Sequence, residues 1–253
     1  MATGLLLLAG CQASPPTPPP SPPGDTTAPA PVEDPAEVDS APVGSEASTL
    51  SEFTSLGTEG VSPHLERVGD DAFRLSYSSI TAGGLVVAEC TSEFACETST
   101  VLDRMADLTV VTTGSGDRRG YWVEMNPTTQ NKEIYTGIIS VDGTTVSGGV
   151  SLGFSDEGQM GWGVPDAVVL DDGRVRLYWV VSGEGRAAER IVSATSTDST
   201  GTEFVDDGGF RFTGGYVDFE FLDSTDGEWV AVMSSSPESL PDSPQGLFIA
   251  TST

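Results

Sequence analysis

The chain has 253 residues, and its 38 acidic against 11 basic side chains give a formal charge of 11 − 38 = −27. A duplex-binding surface neutralises phosphates with clustered Lys and Arg, but Lys132 is the sole lysine and the arginines are scattered, which excludes nucleic acid and disfavours anionic membranes as partners. No stretch reaches the roughly 18 apolar residues of a spanning helix, so attachment to a membrane has to be covalent.

The first ten residues end Leu-Leu-Leu-Leu-Ala-Gly before Cys11. The tetrad Leu8-Ala9-Gly10-Cys11 resembles the lipobox of bacterial lipoproteins. That resemblance implies a signal peptide over 1–10, cleavage before Cys11, and a diacylglycerol thioether on its thiol that anchors the chain at the cell surface or in the periplasm. The leader lacks Lys and Arg and has only a short Leu run, whereas a signal peptide carries a basic start and an apolar core of about 7–15 residues. The expectation is therefore a clipped or misassigned start. Gln12 is not the Asp that resembles an inner-membrane retention signal, which leaves an outer-membrane or surface location open.

Residues 11–48 carry the anchor and then a linker of Pro, Ala and acidic residues, including Pro-Pro-Thr-Pro-Pro-Pro-Ser-Pro-Pro. Such a segment has too little apolar surface to fold, and its prolines keep it extended at about 3.1 Å per residue. We expect a disordered stalk; a ligand for a proline-recognition domain is the rival reading.

Export sets the reading of the other cysteines. Outside the cytoplasm, Cys90 and Cys96 are expected to form a disulfide. A zinc site needs several His or Cys ligands, and His64 is the only histidine. That shortage also disfavours a Ser-His-Asp hydrolase. Separate acidic turns such as Asp171, Asp172, Asp223 and Asp226 do not make a cage of 6–8 oxygens for calcium, so no metal or other cofactor is expected.

From residue 61 a unit of about fifty residues recurs four times, and such periods point to propellers or solenoids. The copies open at Ser62 (Ser-Pro-His-Leu-Glu-Arg-Val), near Met105 (Ala-Asp-Leu-Thr-Val-Val), at Val164 (Val-Pro-Asp-Ala-Val-Val-Leu) and at Tyr216 (Tyr-Val-Asp-Phe-Glu-Phe-Leu). Each continues through a Gly- or Asp-rich turn into two more apolar runs, a hairpin signal. Outer strands are expected over Val146 to Leu152 and Phe204 to Phe212. Four-stranded meanders repeated radially make an all-β propeller; a β-sandwich is the alternative. The fourth copy lacks an outer strand. Either Glu52 to Leu56 supplies it or a fifth blade is missing, and the closing Ile-Ala-Thr-Ser-Thr, like the start of Ile-Val-Ser-Ala-Thr-Ser-Thr-Asp, favours an incomplete five-bladed ring over residues 49–253.

The run from Val164 to Tyr178 closely resembles the inner-strand and turn pattern of five-bladed propeller glycosidases of the family 43 and family 32 type. Ser193 to Phe204 is similar to their strand-and-turn and loosely to the Asp-box of sialidases. The resemblance implies a carboxylate base, a carboxylic acid and a third carboxylate that tunes the acid, all at the starts of inner strands. The equivalent positions are His64, Asp107, Asp166 and Asp218, with His64 where an Asp is expected. Glu220, two residues beyond Asp218, is the candidate acid, with Glu124 as another. His64 and Trp162 are the candidate substrate-binding residues, Trp162 as a sugar platform or else packed between blades, while Tyr121, Trp122, Tyr178, Trp179 and Trp229 are expected in the core.

These residues point to a monomeric surface lipoprotein that binds or hydrolyses neutral glycans. Anionic substrates are disfavoured by the charge and by the absence of an arginine cluster in the sequence. A glycan-binding module without turnover and a protein-docking scaffold are the alternatives.

Overall fold

The structure is a computed structural model. It describes residues 59–155, 163–183, 185–213, 215–225, 228–235 and 246–252. Contacts divide the chain into Met1–Ser51 and Glu52–Thr253, and every described residue belongs to the second unit. The leader, Cys11, the stalk, Glu52 to Leu56 and Trp162 lie outside the described residues.

The described residues form strands and no helix, arranged as four consecutive antiparallel sheets of a β-propeller. The first sheet is β1 (Val61–Gly69), β2 (Ala72–Ser79), β3 (Gly84–Thr91) and β4 (Cys96–Asp103). The second is β5 (Ala106–Thr112), β6 (Arg118–Met125), β7 (Lys132–Ile139) and β8 (Val146–Ser155). The third is β9 (Gly163–Val169), β10 (Val175–Gly183), β11 (Gly185–Ser196) and β12 (Phe204–Asp206). The fourth has three described strands, β13 (Tyr216–Thr225), β14 (Glu228–Ser235) and β15 (Leu247–Ser252). The expected outer strand from Phe204 to Phe212 is shorter. Ladder pairing stops at Asp206, and Phe212 returns only as an isolated bridge to Ile191, because Gly208 and Gly209 turn the chain away. Strand β4 was not anticipated: its run Cys-Glu-Thr-Ser-Thr is polar, as suits an exposed edge.

Strand alternation explains how each central sheet buries two faces. Successive side chains point to opposite sides, so in β10 Leu177 and Trp179 pack with Tyr121 and Ile134 of the second sheet, while Tyr178 and Val180 pack with Phe219, Ala231 and Met233 of the fourth. In β6, Trp122 turns the other way, joining Leu85 and Val87 of the first sheet. Fully burying one such side chain contributes about 1.5–3 kcal/mol, and these three layers, with a further cluster of Leu75, Tyr77, Val86 and Cys90 on the first sheet, are the core of the described residues.

Two ties reinforce the packing. Tyr121 Oη donates to the Gly201 carbonyl at 2.9 Å, joining the second and third sheets. Cys90 and Cys96, directly opposed at the β3–β4 hairpin, form a disulfide with Cα atoms 4.0 Å apart.

Candidate functional site

Inner strands β1, β5, β9 and β13 lie side by side in that order, and each is irregular at the same place. Ser62, Asp107, Val164 and Asp218 all have positive φ, at 52°, 54°, 41° and 50°. Around each the pairing register slips: Val61 faces Ser78 but His64 faces Ser76, and Val217 faces Ser234 but Glu220 faces Val232. The same slip separates Ala106 from Thr109 and Gly163 from Asp166. Every inner strand thus carries a bulge in which two residues oppose one. Opposite the bulges stand Tyr77, Trp122, Trp179 and Met233, all buried. Left-handed conformation is unfavourable for residues with a Cβ, most of all for β-branched Val164, and such strain tends to gather at functional sites.

The bulges sort the candidate residues into two levels. The first is Ser62, Asp107, Val164 and Asp218; the second, two residues on, is His64, Thr109, Asp166 and Glu220. The expected equivalence of His64, Asp107, Asp166 and Asp218 is therefore corrected. Asp107 and Asp218 match each other, and His64 matches Asp166. Alternation read from the chain alone cannot reveal a repeated bulge, which is why the two levels were merged.

A cavity of about 320 Å³ opens where the strands converge, lined by Ser62, His64, Asp107, Thr109, Asp218, Glu220 and Ser234 among others. Asp107 is held from the first sheet: its N–H donates to Ser78 Oγ at 2.8 Å, and that hydroxyl lies 3.1 Å from Asp107 Oδ1. Burial raises the Asp107 carboxyl, partly offset by the hydroxyls of Ser62 and Ser78, with the Asp218 charge adding to the rise. Asp218 is exposed and accepts from Ser234 Oγ at 2.7 Å. Ser78 and Ser234 occupy matching positions on β2 and β14. Serines are common, and nothing in the sequence marked these two.

Asp166 is 5% exposed and sits behind the cavity wall. Phe221 N–H donates to its Oδ2 at 2.6 Å and Thr109 Oγ1 to its Oδ1 at 3.2 Å. Burial outweighs these bonds and lifts it to about 6. Glu220 lines the cavity, is only partly buried, and receives no hydrogen bond from any described residue. Burial, then the nearby Asp166 charge, pushes it up to about 7. The arrangement is an uncommitted acid on the wall with a second carboxyl beneath it.

His64 also lines the cavity, and among the described residues its Nε2 has no hydrogen-bond partner. Burial lowers its pKa, against the Glu66 charge and with that of Arg118, so the ring is neutral at pH 7. Glu124 lies elsewhere, paired with Arg104 at 2.9 Å and accepting from Trp122 Nε1. The expected core aromatics Tyr121, Trp122, Tyr178 and Trp179 are buried and Trp229 partly so. Among the described residues no three His, Cys, Asp or Glu groups are placed to hold a metal ion.

No family model and no curated protein matches the chain. Solved structures do. An endo-arabinase from Bacteroides thetaiotaomicron superposes with a TM-score of 0.62 at 15% identity, covering 78% of this chain and 76% of that one. An endo-1,4-beta-xylanase from the same organism and an alpha-L-arabinofuranosidase from Lactobacillus brevis each give 0.59 at 14% identity, covering 76% of this chain and 71% of theirs. A thermostable family-43 glycoside hydrolase gives 0.57 at 17%, covering 75% and 70%. The propeller is thus similar in fold to glycoside hydrolases of the arabinanase and xylanase type.

Proposed function

We propose that this chain is a lipid-anchored surface protein, attached through Cys11, whose propeller hydrolyses neutral glycosides. One observation carries the reading: Glu220, raised to about 7 by burial and by Asp166, stands in one cavity with Asp107 and Asp218. Glycoside hydrolysis needs a protonated acid on the leaving oxygen and a carboxylate acting opposite it. Glu220 is the acid, giving its proton as the glycosidic C–O bond breaks. Asp107 or Asp218 takes a proton from water as its oxygen bonds the anomeric carbon. Asp166, away from the cavity, is the tuning carboxyl. Neutral His64 holds the sugar.

A binding module without turnover is the second reading, favoured by one feature: β1 presents Ser62 and His64 to the cavity and no carboxylate. A mass-spectrometric screen of the full chain against neutral oligosaccharides, scoring cleaved products and retained complexes together, separates the two. Cleavage establishes the glycosidase; intact retained sugar establishes the binding module. Neither result from a folded sample overturns both in favour of a docking scaffold.

A further inference from the structure

A second cavity, of about 340 Å³, lies between the third and fourth sheets, away from the carboxylates. Its walls are aromatic: Phe221 and Trp229, with ring centroids 4.5 Å apart, face Tyr178 and Phe212. Its polar end holds Arg176 and Arg211. Scattered in the sequence, these two arginines are brought to one cavity by the sheets.

Their charge is only half neutralised. Arg176 Nε lies 3.4 Å from Asp207 Oδ2 and donates to Thr195 Oγ1 at 3.1 Å. Arg211 Nη2 donates to the carbonyls of Asp207 and Gly208 at 3.2 and 2.8 Å, and has no carboxylate within ion-pair distance among the described residues. Burial works to raise the Asp207 carboxyl, but bonds from Ser193 and Thr195 and both guanidinium charges outweigh it, so Asp207 stays ionised. Asp207 is the one carboxylate within ion-pair distance of either guanidinium among the described residues, and both line a cavity with an aromatic wall. In a chain of charge −27 that placement is selective: the bulk field repels anions, and this cavity alone of those described offers paired guanidiniums to one.

We propose that this cavity binds a carboxylate-bearing sugar ring, a uronic acid unit of a glycan. The apolar face of a pyranose stacks on an indole or phenyl wall, as other amphipathic ligands do, while a planar guanidinium matches a carboxylate with two parallel hydrogen bonds. The volume suits one ring with its substituents. Phe219 lines both cavities, so this site and the carboxylate cavity share a wall. Binding here needs no turnover and does not depend on the glycosidase reading.

The test is saturation-transfer NMR and calorimetry on the full chain with methyl glucuronide and, as a matched neutral control, methyl glucoside. The glucuronide should bind at least about tenfold more tightly, and its affinity should fall as salt is raised. Arg211→Glu should abolish that preference; Arg211 is exposed and anchors only loop carbonyls. In Glu220→Gln the affinity should be unchanged, which separates this site from the carboxylate cavity whether or not hydrolysis is found. Equal binding of the two sugars, a preference surviving in Arg211→Glu, or loss of binding in Glu220→Gln each overturns the proposal.

Discussion

The carboxyl of Asp166 and that of Glu220 belong to neighbouring inner strands, and the main chain of one holds the side chain of the other. The amide of Phe221, immediately after Glu220, donates to Asp166 Oδ2 at 2.6 Å, so the Asp166 carboxyl is tied to the strand that carries Glu220. Like charges held this way cannot both ionise cheaply.

Replacing Glu220 tests the acid and the linkage together. Its pKa is about 4.5 in the unfolded chain and about 7 in the fold. Its contribution to stability is therefore fully present below pH 4.5, is lost as the pH rises through 7, and is absent above. Glu220→Gln should remove hydrolysis of any substrate found, while being more stable than the parent at pH 8 by at most about 3 kcal/mol and no more stable at pH 4. Urea unfolding at the two pH values measures this; equal differences at both would remove the raised pKa from the argument.

Asp166→Asn keeps the shape and deletes the charge. The alkaline limb of the pH–rate profile, set by Glu220, should move to lower pH. A structural role alone would reduce rate or stability without shifting that limb.

The Cys90–Cys96 bridge closes a short loop at the edge of the first sheet. The chain-entropy relation gives about 2 kcal/mol for a loop of this length, and Cys90→Ser with Cys96→Ser should lower Tm by about 5 °C. Calorimetry with and without reductant on the parent gives the same comparison.

Gly201→Ala should destabilise by about 2 kcal/mol. Its φ is +65°, and an added Cβ would lie 2.3 Å from Tyr121 Oη, breaking the bond between the second and third sheets. Far-UV circular dichroism on heating reads the loss; an unchanged Tm would show that the two sheets do not depend on this tie.

Much of the fold was legible in the chain. The Pro-Asp-Ala-Val-Val-Leu run before Asp171-Asp172-Gly173 marks an inner strand and its turn, and β9 and β10 lie there. Asp107, Asp166, Asp218 and Glu220 were visible as acids at strand starts. What stayed hidden depends on register. The bulges that separate Asp107 from Thr109 and Asp218 from Glu220 leave no composition signal. The hydroxyls of Ser78, Thr109 and Ser234 matter only through partners remote in sequence. The Arg176 and Arg211 pair is likewise a product of sheet packing.

The repeated bulge also bears on how such a molecule changes over generations. Its direction is carried by the main chain, which makes the same left-handed step at Ser62, Asp107, Val164 and Asp218 although the side chains range from hydroxyl through carboxylate to aliphatic. A position whose pointing is set by backbone tolerates new letters without new architecture. Serine, aspartate and valine stand at one level, and histidine, threonine, aspartate and glutamate at the next, on one repeated backbone step, so the chemistry of the cavity is written in side chains that the main chain already aims.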